Sequence, residues 1–331
     1  MVDSYRDLCL QGSRRRRRGT LTTVTSRLML LDTASMYFRA FYGVPDSFHA
    51  EDGTPVNAVR GLLDFITRLV TDYRPTHLAC CWDNDWRPQW RVDLLPSYKA
   101  HRVEYVVATG PDVEVVPDPL EVQVPIIRDV LAAFGIAVVG ADGYEADDVI
   151  GTLSRDAGMP VDVVTGDRDL FQLVDDDAQV RILYIARGVG RHERVTNAVV
   201  QEKYGIDGRQ YADFAALRGD PSDGLPGVDG VGEKTAMTLL QRFGDIPGLR
   251  VAAEDPDSNI APSPRRRILA AADYLEVAST VTRVARDIDL GKPDLTLPLT
   301  PADPDRLVEL SKQLNLDSPI ARLVEALTNL R

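Results

Sequence analysis

Three apolar runs, LMLLD, HLACCWD and VDVVTGD, each stop on an aspartate: Asp32, Asp83 and Asp167. Short apolar runs of this kind read as strands buried on both faces. Helical patterns separate them. Between the first two lies Val56 to Tyr73, where Val59, Leu62, Leu63, Ile66, Leu69 and Val70 recur at three- and four-residue spacings. A helix over about 120–134, the strand IAVVG, a helix opening at GYEADD and the strand VRILYI continue the alternation. This order predicts an α/β fold: a mostly parallel sheet with helices on both faces. Ligands of such sheets bind beyond the carboxyl ends of the strands, so the three aspartates are expected at one pocket.

The stretch GYEADDVIGTLS adds Glu145, Asp147 and Asp148 within four positions. Two like charges about 4 Å apart repel by roughly 1 kcal/mol in water and by more near a protein surface. A helix dipole explains acids at a helix start, but not acids that end three strands. Glu145 and Asp148 are three apart and are expected on one helix face; Asp169 follows Asp167 by two. An all-oxygen set without positioned histidine suits magnesium or manganese rather than zinc. Two such ions about 4 Å apart would clamp the attacking and leaving oxygens of a phosphoryl displacement. The cluster therefore predicts a two-metal hydrolase site.

Fifty acids against 38 lysines and arginines leave a net charge of -12. Taken alone this disfavours a nucleic-acid partner, but acids neutralised by bound ions do not count toward that repulsion. The longest basic run, Arg14 to Arg18, falls in residues 1–26, which read as a disordered extension. No window approaches the ~20 apolar residues of a membrane span, and the start lacks a secretory signal. Cys9 and the adjacent pair Cys80 and Cys81 have no metal-binding spacing, so they read as thiols of a reducing compartment. A cytoplasmic protein is expected.

A second signal is LRGDPSDGLPGVDGVGEKTAMTLLQRFG, residues 217–244. Asp220 and Asp223 sit in its turn, and Gly227, Gly230 and Gly232 precede a helical pattern carrying Ala236, Leu239, Leu240 and Phe243. Glycines that expose backbone N–H groups at a helix start form a phosphate cradle, to which Lys234 adds charge. A nucleotide-binding P-loop would need lysine where Glu233 stands. A helix-hairpin-helix on a nucleic-acid backbone fits better.

Taken in order, Asp32, Asp83, GYEADD, TGDRDL and GDPSDGLPGVDGVGEKTA resemble the bacterial and phage 5′-nucleases. These are the 5′→3′ exonuclease domains of DNA polymerase I and their stand-alone flap endonuclease relatives. The resemblance covers residue 27 to the C-terminus. It implies a PIN-like core over 27–196 with an arch at about 84–119, and a helical region over 197–331 with the hairpin at about 217–244. It also implies structure-specific cleavage of DNA near 5′ ends with two or three magnesium or manganese ions, and a monovalent cation at the hairpin. Asp32, Asp83, Glu145, Asp147 and Asp148 would hold the first divalent ion, and Asp167, Asp169, Asp220 and Asp223 the second. Arg91, Lys99 and Arg102 match the family's arch-base cations. Of these, Lys99 and Arg91 would act in catalysis with Asp148, and Lys99 would reach the scissile phosphate. Arg39 would contact a phosphate, and Tyr98 would stack on a terminal base. Gly227, Gly230, Gly232 and Lys234 would grip the duplex.

The implied substrates are flaps, nicks, gaps, overhangs and RNA–DNA hybrids. The protein would be a nucleoid-associated monomer cooperating with a polymerase and a ligase. Two rival readings are a non-catalytic DNA-structure binder, which would be expected to lose metal-site acids, and a metal-dependent ribonuclease, which LPSYKAHR and the hairpin disfavour. Two departures stand out. Gly224 replaces the asparagine of the family's SDN, and no lysine or arginine lies between Arg102 and Arg128, where Glu104, Asp112, Glu114, Asp118 and Glu121 gather. The stretch 246–264 reads as a loop, followed by helices over most of 265–329.

Overall fold

The computed structural model describes residues 26–107 and 110–331. The arginine run expected in a disordered extension lies outside the described residues. The main sheet has six strands: β1 (Leu28–Asp32), β2 (His77–Trp82), β5 (Ala137–Gly140), β6 (Val161–Thr165), β7 (Val180–Tyr184) and β8 (Glu193–Val195). Their spatial order is β5-β2-β1-β6-β7-β8. All pairs are parallel except β7 with β8. The chain steps from β1 to β2 on one side and later to β6 on the other. The sheet order thus reverses beside β1, the place where open parallel sheets bind ligands.

Period-2 alternation divides β1 between two cores. Leu28 and Leu30 join one face, packed against Val149 and Ile150. Met29 and Leu31 join the other, packed against Leu62, Ile66 and Val70. Both faces are therefore covered, as the continuous apolar strands require.

The helices, in chain order, begin with α1 (Thr33–Gly43), α2 (Asn57–Tyr73) and the short α3 (Gln89–Leu94). Next come α4 (Asp118–Glu121), α5 (Gln123–Phe134) and α6 (Ala146–Ser154). An antiparallel ribbon, β3 (Val103–Tyr105) with β4 (Val113–Glu114), stands between α3 and α4 in the expected arch. The region after the sheet contains α7 (Asn197–Tyr204), α8 (Tyr211–Arg218), α9 (Glu233–Phe243), α10 (Ile246–Glu254), α11 (Pro262–Ala270) and α12 (Ala272–Thr282). An extended segment leads to α13 (Pro304–Gln313) and α14 (Asp317–Thr328).

Three local expectations need correction. The stretch read as a loop contains α10, whose Asp245 side chain accepts from Gly248 N at 2.7 Å. Pro247 lies in its first turn, where a missing N–H costs nothing. Second, the helix expected over about 120–134 is two pieces, α4 and α5, meeting at Val122. Third, β8 is an antiparallel edge strand that the sequence pattern did not reveal.

The last two helices return to the core that holds Met29 and Leu31. Leu323 and Leu327 are buried with Leu62 and Leu63 of α2, and Arg322 pairs with Asp64 at 2.6 Å. The extended segment adds backbone bonds to β2: Leu78 N donates to Leu295 O, and Leu297 N donates to Thr76 O.

Candidate metal and nucleic-acid site

Asp32, Asp83 and Asp167 stand just at or beyond the carboxyl ends of three adjacent strands, and with Glu145 and Asp147 they line one cavity of about 760 Å³. Arg39, Lys99, Arg102, Arg187 and Glu114 share its wall. Asp32 also caps α1: Oδ1 accepts from Ser35 N at 3.1 Å, and Oδ2 accepts from Thr165 Oγ1 at 2.7 Å. The Thr165 hydroxyl in turn accepts from Asp167 N. Thr165 thus ties the two strand-end acids together. The sequence reading missed it; its one signal was a hydroxyl two positions before Asp167.

Burial and mutual repulsion set the electrostatics. The Asp83 carboxyl is pushed up to about 7, first by burial and then by Glu145 and Asp32, against a hydrogen bond from Ala146 N. Burial likewise raises Asp32, and raises Asp147 further with Asp32 and Asp167 adding to it. The walls of the cleft, and then Asp32, raise Asp167. For Asp169 the causes are burial followed by Asp167, Asp223 and Asp220, so these four acids act on one another. Asp223 is raised by burial and eased by Lys99 and Arg102.

These acids suit hard divalent cations. The donor set is oxygen alone, and the cavity is lined by no histidine or cysteine. Among the described residues no three histidine, cysteine, aspartate or glutamate side chains are arranged to hold a metal ion by themselves. Magnesium keeps several waters and takes one or two carboxylates plus substrate phosphate oxygens, so it does not require three protein ligands.

Asp148 behaves differently from its neighbours. It is fully buried, and its two oxygens accept from Arg91 Nη1 and Nη2, both at 2.7 Å, from Ala285 N at 2.7 Å and from Glu145 N at 3.2 Å. With four donors satisfied, it does not line the cavity. Arg91, 3% exposed, also bonds Glu145 Oε1, Val281 O and Arg283 O. Both residues had been expected at the chemistry. The structure corrects this: they form a buried bolt between α3, α6 and the segment after α12.

Tyr98 also needs correction. Its ring is 4% exposed and its hydroxyl donates to Glu145 Oε1 at 2.6 Å, so it presents no face to a terminal base. Lys99 reaches the cavity, where Nζ pairs with Glu145 Oε2. Burial alone would weaken that ammonium, but the Glu145 carboxylate outweighs it and holds the proton firmly. Arg39 Nε is buried without a protein partner. Arg39 itself lines the cavity, and its guanidinium charge there is suited to an anion.

Arg102 Nη2 donates to Ser222 O at 2.7 Å and approaches Asp223 Oδ1 at 3.3 Å. Asp220 accepts from Ser222 N and Arg218 Nη2. The hairpin forms as the glycines suggested. Gly227 brings the loop against α8, where an added Cβ would meet Gly219 N at 2.6 Å. Gly232 caps α9 in open space, and Lys234 is exposed. The Gly230 carbonyl accepts from Arg267 Nη1 at 2.8 Å, a cation that went unnoticed in the sequence. In the ribbon, Asp112 is neutralised by Arg87 at 2.6 Å, and Glu114 faces the cavity. Among the described residues no helix is long and apolar enough to cross a membrane.

Comparison with known proteins agrees with this arrangement. Residues 27–205 match the model of the 5′-3′ exonuclease N-terminal resolvase-like domain, and 206–305 match the 5′-3′ exonuclease C-terminal SAM fold. A 5′-3′ exonuclease of Streptomyces coelicolor is 58% identical over 300 residues, covering 91% of this chain and all of the relative. A 5′-3′ exonuclease of Mycobacterium tuberculosis is 52% identical, covering 92% of this chain and 99% of the relative. The phage T5 D15 protein crystallised with metal ions shares the fold with a TM-score of 0.61 at 17% identity, covering 92% and 100% of the two chains. The catalytic core of Rad2 in complex with DNA substrate shares it at 0.57 and 17%, covering 100% of both. With both domain models matched in order and full-length relatives above half identity, the chain belongs to the 5′-3′ exonuclease family.

Proposed function

We propose that the protein is a divalent-metal-dependent nuclease that hydrolyses phosphodiester bonds near 5′ ends of DNA, as exonuclease and flap endonuclease. The observation that carries this reading is the shared cavity: acids at the ends of adjacent strands, with Lys99, Arg102 and Arg39 in the same wall. Acids alone would repel a phosphate and cations alone would only bind it. Together they suit a phosphate brought in with metal ions.

Asp32, Asp83, Glu145 and Asp147 would hold one magnesium or manganese ion, directly or through water, and Asp167, Asp169, Asp220 and Asp223 a second. When bound, the ions activate water and offset the charge that develops on the phosphate. The chain's own groups do the rest. Thr165 and Ser35 fix the Asp32 carboxylate, Lys99 and Arg39 orient the phosphate, and Arg91 with Asp148 hold Glu145 in place. The hairpin amides before α9, with Lys234, grip the uncut duplex, so 27–196 cuts while 217–244 holds. At the hairpin the Arg267 guanidinium supplies positive charge at Gly230 O, and a monovalent cation would add to it. We infer that the protein works as a monomer with a polymerase and a ligase on the nucleoid, removing flaps and RNA primers.

The test is cleavage of end-labelled flap, nicked and overhang DNA with magnesium or manganese, comparing the wild type with Asp83→Asn and Asp147→Asn. Cleavage by the wild type, lost in both variants while DNA binding persists, is the expected result. Binding by the wild type without cleavage under either ion would favour the non-catalytic binder.

A further inference from the structure

Lys99 begins the foot of the ribbon with a backbone φ of +48°, a conformation that residues with a Cβ rarely adopt. The turn Ser222–Gly224 holds it there. Arg102 Nη2 donates to Ser222 O at 2.7 Å, Lys99 N to Asp223 O at 3.0 Å and Ser97 Oγ to Gly224 O at 2.8 Å. Three successive carbonyls of the turn therefore accept from the segment that carries Lys99.

This contact requires glycine at 224. A Cβ there would fall 2.0 Å from Ser97 O, 2.9 Å from Ser97 C and 3.2 Å from Lys99 N. These are backbone atoms, so no rotamer change relieves the clash. The φ of +71° at Gly224 disfavours a side chain independently. A turn residue alone would need only the φ; here two backbones also touch.

We propose that Gly224 is a positioning residue for Lys99: it lets the Asp220–Asp223 turn and the ribbon foot lock together, so that the lysine is set in the cleft before DNA arrives. This rests on the reading of the cleft as a 5′ nuclease site. The asparagine expected at this position by resemblance would push the foot away in this chain.

The experiment uses the full chain and a nicked or short-flap DNA with magnesium, under single turnover at saturating enzyme. Displacement of a catalytic group by about 1 Å can cost 100-fold in rate, so Gly224→Ala and Gly224→Asn should cut about 10- to 100-fold more slowly. Their Kd for DNA, measured in calcium, should change by less than about 3-fold. Because the effect runs through Lys99, Gly224→Ala added to Lys99→Ala should slow cleavage no further. Hydrogen exchange at the Lys99 amide should quicken in Gly224→Ala while α5 is unchanged. Ser97→Ala, which removes one bond without a clash, gives a smaller loss of the same kind and serves if Gly224→Ala does not fold. Additive losses in the double variant, or wild-type rates in Gly224→Ala and Ser97→Ala, would overturn the proposal alone. A wild type that cuts none of these DNAs would overturn the nuclease reading and this one with it.

Discussion

Replacing Arg91 with methionine isolates the buried bolt from the chemistry beside it. The change keeps much of the side-chain volume but strands Asp148, which is fully buried, and removes one of two cations facing Glu145 and Asp148. Arg91 and Lys99 balance these two acids, so the variant leaves one uncompensated charge in the interior. The carbonyls of Val281 and Arg283 lose a donor as well. Breaking a buried ion pair by removing one partner costs about 3–5 kcal/mol. With a urea m-value of about 2–3 kcal/mol/M for a chain of this size, the unfolding midpoint should fall by roughly 1–2.5 M. Salt screens exposed pairs and barely touches buried ones, so the loss should be the same at low and high salt. Equilibrium urea unfolding followed by circular dichroism, in EDTA, is the assay. A midpoint within about 0.3 M of wild type, together with lost cleavage, would show that Arg91 serves the substrate instead.

The acid cluster predicts a pH dependence whose sign follows from its raised carboxyls. A folded Asp83 with its carboxyl at about 7 keeps a proton that the unfolded chain releases near 3.8. The metal-free protein should therefore lose stability as pH rises from about 4 to 7, by up to roughly 4 kcal/mol from this group. Magnesium or manganese should restore it at pH 8 and do little at pH 5; a flat urea midpoint across that range in EDTA would contradict this. Tyr98→Phe should lower stability by about 1.5–3 kcal/mol, since its hydroxyl bonds a charged carboxylate. Its affinity for DNA ends should not change in a fluorescence-anisotropy titration, whereas a stacking role would weaken it. Cleavage at fixed salt should not rise steeply with flap length, because Glu104, Asp118 and Glu121 keep the ribbon side negative. Changing those three to lysine should strengthen long-flap binding and steepen its salt dependence.

What was readable in the sequence was what neighbours in the chain decide. Asp32, Asp83 and Asp167 announced themselves because an apolar strand and the acid that ends it are adjacent. The hairpin was readable for the same reason, with its glycines and the α9 pattern in one stretch. The roles of Arg91 and Asp148 were not, since the pairing joins residues 57 apart and local spacing could place Asp148 only on the helix face of Glu145. Tyr98 was misread because its burial depends on a carboxylate 47 residues away. The Arg267 contact with Gly230 spans 37 residues and left no local trace.

The return of α14 to α2, and of α13 to α5, bears on how the chain is made. Leu62, Leu63 and Ile66 are sealed in part by Leu323 and Leu327, which a ribosome adds about 260 residues later. The strands of the sheet can pair early, yet one face stays open to water while residues 197–316 are synthesised. Stalling or truncation anywhere before residue 317 would leave that apolar face uncovered, a surface for chaperones to hold and for proteases to find.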